Sequence, residues 1–114
     1  MRNSTLSPVE GGGGMIRELN SNGIINPPAD CGAWREFFST LPGGKLNFIV
    51  AGQGNALTLG MPITGCRWTI LHNVNADNRE WGSAIAIPHM ANTPIYKSWK
   101  NGVGHDWVDW TPCS

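Results

Sequence analysis

Three of the six tryptophans of this 114-residue chain fall in one stretch, Pro94 to Pro112, and that stretch limits the possible folds more than any other. It reads P-I-Y-K-S-W-K-N-G-V-G-H-D-W-V-D-W-T-P. Ile95, Lys97 and Trp99 alternate with Tyr96, Ser98 and Lys100, and Trp107 and Asp109 alternate with Asp106, Val108 and Trp110. Alternation of this kind is the period of half-buried strands. Asn101-Gly102 suits a turn because both residues tolerate positive φ, and Val103-Gly104-His105 lengthens the loop beyond two residues. The stretch therefore predicts a hairpin. Residues i and i+2 share a face of a strand, so Val108 and Trp110 are expected inward and Trp107 and Asp109 outward. An indole buries a large apolar face and wants a partner for its N–H, which suits packing first and a binding platform second.

Upstream, Met1 to Gly14 carries Ser-Pro, Val-Glu and four consecutive glycines, a composition expected of a flexible leader or linker, with a single domain over residues 15–114. Ile16 to Ile25 leads into Asn26-Pro27-Pro28, which disfavours helix and predicts an extended entry segment. Trp34, Phe37, Phe38 and Leu41 then fall at i, i+3, i+4 and i+7, one face of a short helix that Asp30 would cap and Pro42-Gly43-Gly44 would end. Arg35, Glu36 and Thr40 are expected on its solvent side. Lys45 to Ala51 and Ala56 to Met61 alternate about the turn signal Gly52-Gln53-Gly54-Asn55 and predict two antiparallel strands.

Cys66, Trp68, Ile70 and His72 make one face of the next strand, and its other face is partly apolar too, as in a central strand. After Asn75-Ala76-Asp77-Asn78, Trp81, Ser83, Ile85 and Ile87 alternate with Gly82, Ala84 and Ala86. The small residues leave room on one side, most simply for the helix. The expected architecture is α+β and β-rich: a short amphipathic helix packed on a twisted, mainly antiparallel sheet of about five or six strands.

Charged residues make up 14% of the chain with a formal net charge of zero, so no basic stripe invites nucleic acid or an anionic membrane surface. Neither an apolar leader core nor a run approaching about 18 apolar residues is present, and membrane insertion is not expected. Cys31, Cys66 and Cys113 are odd in number and widely spaced, which suits buried or free thiols better than a disulfide framework or a metal cage.

The residues Ile95-Tyr96-Lys97-Ser98, Asn101-Gly102 and Trp107-Val108-Asp109-Trp110 resemble the knob domain that ends bacteriophage tail fibres and R-type pyocin fibres. With a helix first and several strands after it, the resemblance extends over roughly residues 30 to 110. It implies attachment to a bacterial surface glycan or protein receptor, a homotrimeric assembly, and a place in the virion tail fibre after synthesis in the host cytoplasm. Two other functions remain open: a trimer-capping structural domain that binds no receptor, and a small polysaccharide hydrolase.

For a hydrolase the candidate groups are His72, His89, His105, Asp77, Glu80, Asp106 and Asp109, none in a recognised catalytic spacing. The expectation is a binding domain without enzymatic activity, cofactor or metal. Loops on rigid β scaffolds carry recognition, and saccharides are held by aromatic faces beside amides and carboxylates. Trp81, His105, Asp106, Trp107 and Asp109 are the candidate receptor-binding residues.

Overall fold

The computed structural model describes residues 23–113, so the expected leader lies outside the described residues. The architecture is a β-rich α+β fold: one open, six-stranded, mostly antiparallel sheet with two short helices. In chain order the elements are β1 (Ile24–Ile25), α1 (Trp34–Ser39), β2 (Asn47–Ala51), α2 (Gln53–Leu59), β3 (Trp68–Val74), β4 (Trp81–Pro88), β5 (Ile95–Asn101) and β6 (Thr111–Cys113). Spatial order follows sequence order from β1 to β6. Among the described residues only the pair β1 and β2 is parallel. Parallel neighbours need a crossover, and α1 lies within that connection.

The expected aromatic stripe forms. Trp34, Phe37 and Phe38 of α1 and Leu41 just beyond it are buried. The helix starts later than expected, however, because Ala33 rather than Asp30 is the N-cap. Ala33 offers no side-chain acceptor, so only the reciprocal half of a capping box exists: its N–H donates to Glu36 Oε1 at 3.1 Å. Gly32, at φ +78°, permits this, since a Cβ there would collide with the Glu36 carboxylate.

The segment expected to be a strand over Ala56 to Met61 is instead part of α2. Leu57, Leu59 and Met61 do alternate, but Ala56 and Leu59 also stand at i and i+3, and these two enter the core while Leu57 is 70% exposed. Gly60 closes the helix in the left-handed conformation at φ 73°, where its N–H reaches the Ala56 and Leu57 carbonyls. Gly52-Gln53-Gly54-Asn55 is accordingly the start of a helix and not a hairpin turn.

Both helices contribute buried side chains to a core on one side of the sheet. Its inward positions include Ile49 and Ala51 of β2, Trp68, Ile70 and Val74 of β3, and Ala84 and Ala86 of β4. β3 is interior to the sheet, and Trp68, fully buried, donates its indole N–H to the Ile63 carbonyl at 3.0 Å. Burial of this indole therefore leaves no orphaned donor.

The C-terminal hairpin forms only in part. β5 is as expected, but Asp106 to Trp110 has no regular strand structure, and pairing resumes at β6, where Ile95, Tyr96 and Lys97 face Cys113, Pro112 and Thr111. Outside the ladder the i, i+2 rule no longer governs side-chain direction. Trp107, expected outward, is 6% exposed, and Trp110 packs against the same core. Among the described residues the three cysteines are free: Cys66 buried, Cys31 half-buried and Cys113 exposed. Burial raises the pKa of the Cys31 thiol above its ordinary value, with a further contribution from Asp30.

Candidate binding site

Phe38 organises the aromatic cluster from which the site is built. Its ring centroid lies 5.4 Å from Trp34, 5.1 Å from Trp107 and 6.1 Å from Trp110, each near edge-to-face, and 4.4 Å from His72. Edge-to-face contact sets the positive rim of one ring on the negative face of another. The Trp107 indole also needs the small residues of β4: a Cβ on Gly82 would come within 3.0 Å of it. The space expected to admit α1 thus also receives Trp107.

Arg35 ties α1 to the tryptophan segment. Its Nε donates to the Trp107 carbonyl at 3.0 Å, one terminal nitrogen donates to Asp109 Oδ1 at 2.7 Å, and Asp106 Oδ2 stands 3.7 Å from Nε. The guanidinium carbon lies 4.3 Å from the Trp34 ring centroid. This half-buried arrangement replaces the solvent-facing position expected of Arg35. The aliphatic stem covers apolar surface while the planar head remains polar, which only Arg combines with a bidentate fork. Asp106 Oδ1 accepts the Trp107 N–H at 2.7 Å, Ser98 Oγ donates to the Val108 carbonyl at 2.6 Å, and the Val108 N–H donates to the Trp99 carbonyl at 3.0 Å. Side-chain and backbone bonds therefore hold the segment where the ladder does not.

Beside it lies a cleft of about 310 Å³. Phe38, Val74 and Trp107 contribute apolar lining, Arg35, Arg79 and Lys100 contribute cations, Glu80 and Asp106 carboxylates, and Ser39 and Asn78 further polar groups. Arg79 sits at φ 58°, uncommon for a residue with a Cβ. Its guanidinium approaches the Phe38 and Ser39 carbonyls at 3.4 and 3.3 Å at the C-terminal end of α1, where the Phe38 carbonyl also accepts the Leu41 N–H at 3.1 Å. A second cleft, of about 420 Å³, is lined by Gln53, Gly65, Cys66, Arg67, His89 and Met90.

His72 is fully buried behind the first cleft. Asn47 Nδ2 donates to the Pro42 carbonyl at 2.9 Å and stands 3.1 Å from His72 Nδ1. With the amide so oriented, Nδ1 accepts and the ring proton belongs on Nε2. Nε2 and Asn47 Oδ1 have no hydrogen-bond partner among the described residues. Desolvation first, and the Arg79 charge second, lower the His72 pKa from 6.5 to about 4. A neutral core histidine results. Among the described residues no three His, Cys, Asp or Glu side chains cluster as a metal site would require.

The five sequence-derived candidates divide. Asp106, Trp107 and Asp109 gather around Arg35, with Trp107 mostly buried and Asp109 almost wholly exposed. His105 is exposed in the preceding turn, its N–H donating to the Gly102 carbonyl at 3.2 Å. Trp81 belongs elsewhere: it is adjacent in β4 to the inward Gly82, lies on the other face of the sheet and packs against Gly102. Arg35, Arg79 and Lys100 were missed. The available signal was a cation directly beside the first tryptophan of the helix stripe, in a chain whose last tryptophans flank aspartates.

Comparison of the chain with family models, with curated proteins and with solved structures gave no match.

Proposed function

We propose that this domain is a receptor-binding, knob-like module of a phage tail fibre or related tail protein, attaching to a bacterial surface glycan as part of a homotrimer in the virion. The observation that carries the reading is the cleft beside Trp107, where aromatic lining adjoins Arg35, Arg79 and Lys100 together with Glu80, Asp106 and Asn78. Such a set supplies an apolar surface for a sugar ring and polar groups for its hydroxyls. Arg35 is already paired with Asp109 and Asp106, so Arg79 and Lys100 are the cations left to meet carboxylate or phosphate groups on a glycan. The resemblance of Ile95-Tyr96-Lys97-Ser98, Asn101-Gly102 and Trp107-Val108-Asp109-Trp110 to fibre knobs supports the same class.

The test is binding of the full chain to bacterial cells and to an array of acidic and neutral surface glycans, with Lys100→Ala and Asn78→Ala alongside. Each substitution should weaken capture about tenfold or more while leaving melting nearly unchanged. Unchanged capture by both would remove the cleft from the proposal. Cleavage of a surface polysaccharide by the chain would favour a hydrolase instead. A capping role without receptor binding is favoured by a separate feature, the largely apolar outer face of the sheet.

A further inference from the structure

On the sheet face opposite the helices, the register aligns Phe48 of β2, Leu71 of β3 and Ile85 of β4 in one row. Val50 and Ile87 lie to one side of this row, and Trp99 and Trp81 to the other. None of these side chains belongs to the core cluster, and Phe48, Ile85 and Trp81 are 41%, 43% and 49% exposed. Single exposed apolar residues are ordinary, but a contiguous group across three adjacent strands marks an interaction surface.

We propose that this face is covered by a second copy of this chain. Four strands of about seven residues make a footprint of roughly 20 by 24 Å, or about 700 Å² of accessible surface once side-chain relief is included. Two copies would bury about 1,400 Å², within the range of stable interfaces. Charge points the same way. Among the described outward positions of β2 to β5 the charged residue is Lys97, whose ammonium lies over the Trp99 ring at 5.4 Å, and no carboxylate accompanies it. A face this neutral selects no oppositely charged partner, and copies with zero net charge do not repel one another.

The sheet edges are poor alternatives. β1 has two residues followed by prolines 27 and 28, and β6 has three with Pro112 among them, so neither offers a long ladder to a neighbour. Packing of this face against a neighbouring copy is the contact that remains, with the inward-facing cleft left accessible. Self-association and glycan capture therefore use different faces and can fail independently.

The experiment is the solution mass of the full chain by light scattering and sedimentation over a wide concentration range, with Ile85→Lys, Phe48→Ser and Leu57→Lys measured in parallel. The wild type should run as a multiple of 12.3 kDa. Ile85→Lys and Phe48→Ser, folded by circular dichroism, should raise the dissociation constant about a hundredfold, whereas Leu57→Lys, on α2, should not. If Ile85→Lys does not fold, Phe48→Ser decides. A monomeric wild type would overturn the proposal, as would an oligomer that survives the outer-face substitutions or one that only Leu57→Lys dissolves.

Discussion

The inner and outer faces of β4 carry the same chain in two environments. Inward, Gly82, Ala84 and Ala86 are small because the first must admit the Trp107 indole and the others lie fully inside the core. Outward, Trp81 and Ile85 are large and half-exposed, with Ile87 beside them. Size thus runs opposite to burial. On the inner face volume is shared with α1 and the tryptophan segment, so a large residue of β4 would displace a ring already there. The outer face meets no such limit among the described residues, and its large side chains contribute little to the fold of one copy. Stability should therefore concentrate on one face, leaving the other free for association.

The largest break in this comparison would come from Phe38, which touches Trp34, His72, Trp107 and Trp110. Phe38→Ala should cost about 3 to 5 kcal/mol by loss of transfer energy and creation of a cavity, read by denaturant unfolding. A loss below about 1 kcal/mol would mean that the helix is not anchored through this ring.

Acid should act on the same face. The folded pKa of His72, lowered to about 4, lies below its unfolded value, so folding favours the neutral ring. Stability contributed by keeping it neutral is complete above about pH 6.5, falls as the pH drops toward 4 and changes no further below that. The displacement corresponds to roughly 3 kcal/mol. Denaturant unfolding through this window, with the His72 ring followed by NMR, should show stability decreasing with acid. A ring that titrates near 6.5 in the folded protein would place His72 outside the core.

Smaller, and sharper as a contrast, is the pair of neighbours Gly82 and Ser83. A Cβ at Gly82 would stand 2.5 Å from the Asn73 carbonyl oxygen and 2.6 Å from a Val74 methyl, so Gly82→Ala should cost about 1 to 3 kcal/mol. Ser83→Ala, on the exposed face, should change stability by no more than about 0.5 kcal/mol. Equal effects would erase the distinction between the faces.

Much of this division was legible in residue order. Long alternating runs, Cys66 to Asn73 and Trp81 to Ile87, identified β3 and β4, and the 3.6-residue spacing of Trp34, Phe37, Phe38 and Leu41 identified α1. Short runs were ambiguous: Ala56 to Met61 fits a period of two through Leu57, Leu59 and Met61 and a helix through Ala56 and Leu59, and Gly60 in the left-handed region decided for the helix. The direction of Trp107 was misread because it depends on contacts distant in sequence, with Arg35 and Gly82, that lift the segment out of the ladder. The cleft was half legible. Asp106 and Trp107 were accessible to reasoning from loops and tryptophans, whereas Arg79 and Lys100 reach it only through the β3–β4 turn and the end of β5.

The most direct measurement is the unfolding free energy of Trp107→Ala beside that of Trp81→Ala at protein concentrations low enough to keep copies apart. The two residues are the same type and stand at the same end of the sheet, so their difference reads the environment alone. The division of faces predicts a loss of about 3 to 5 kcal/mol for Trp107→Ala and below about 1 kcal/mol for Trp81→Ala. Comparable losses at both positions, or a larger one at Trp81, would contradict it.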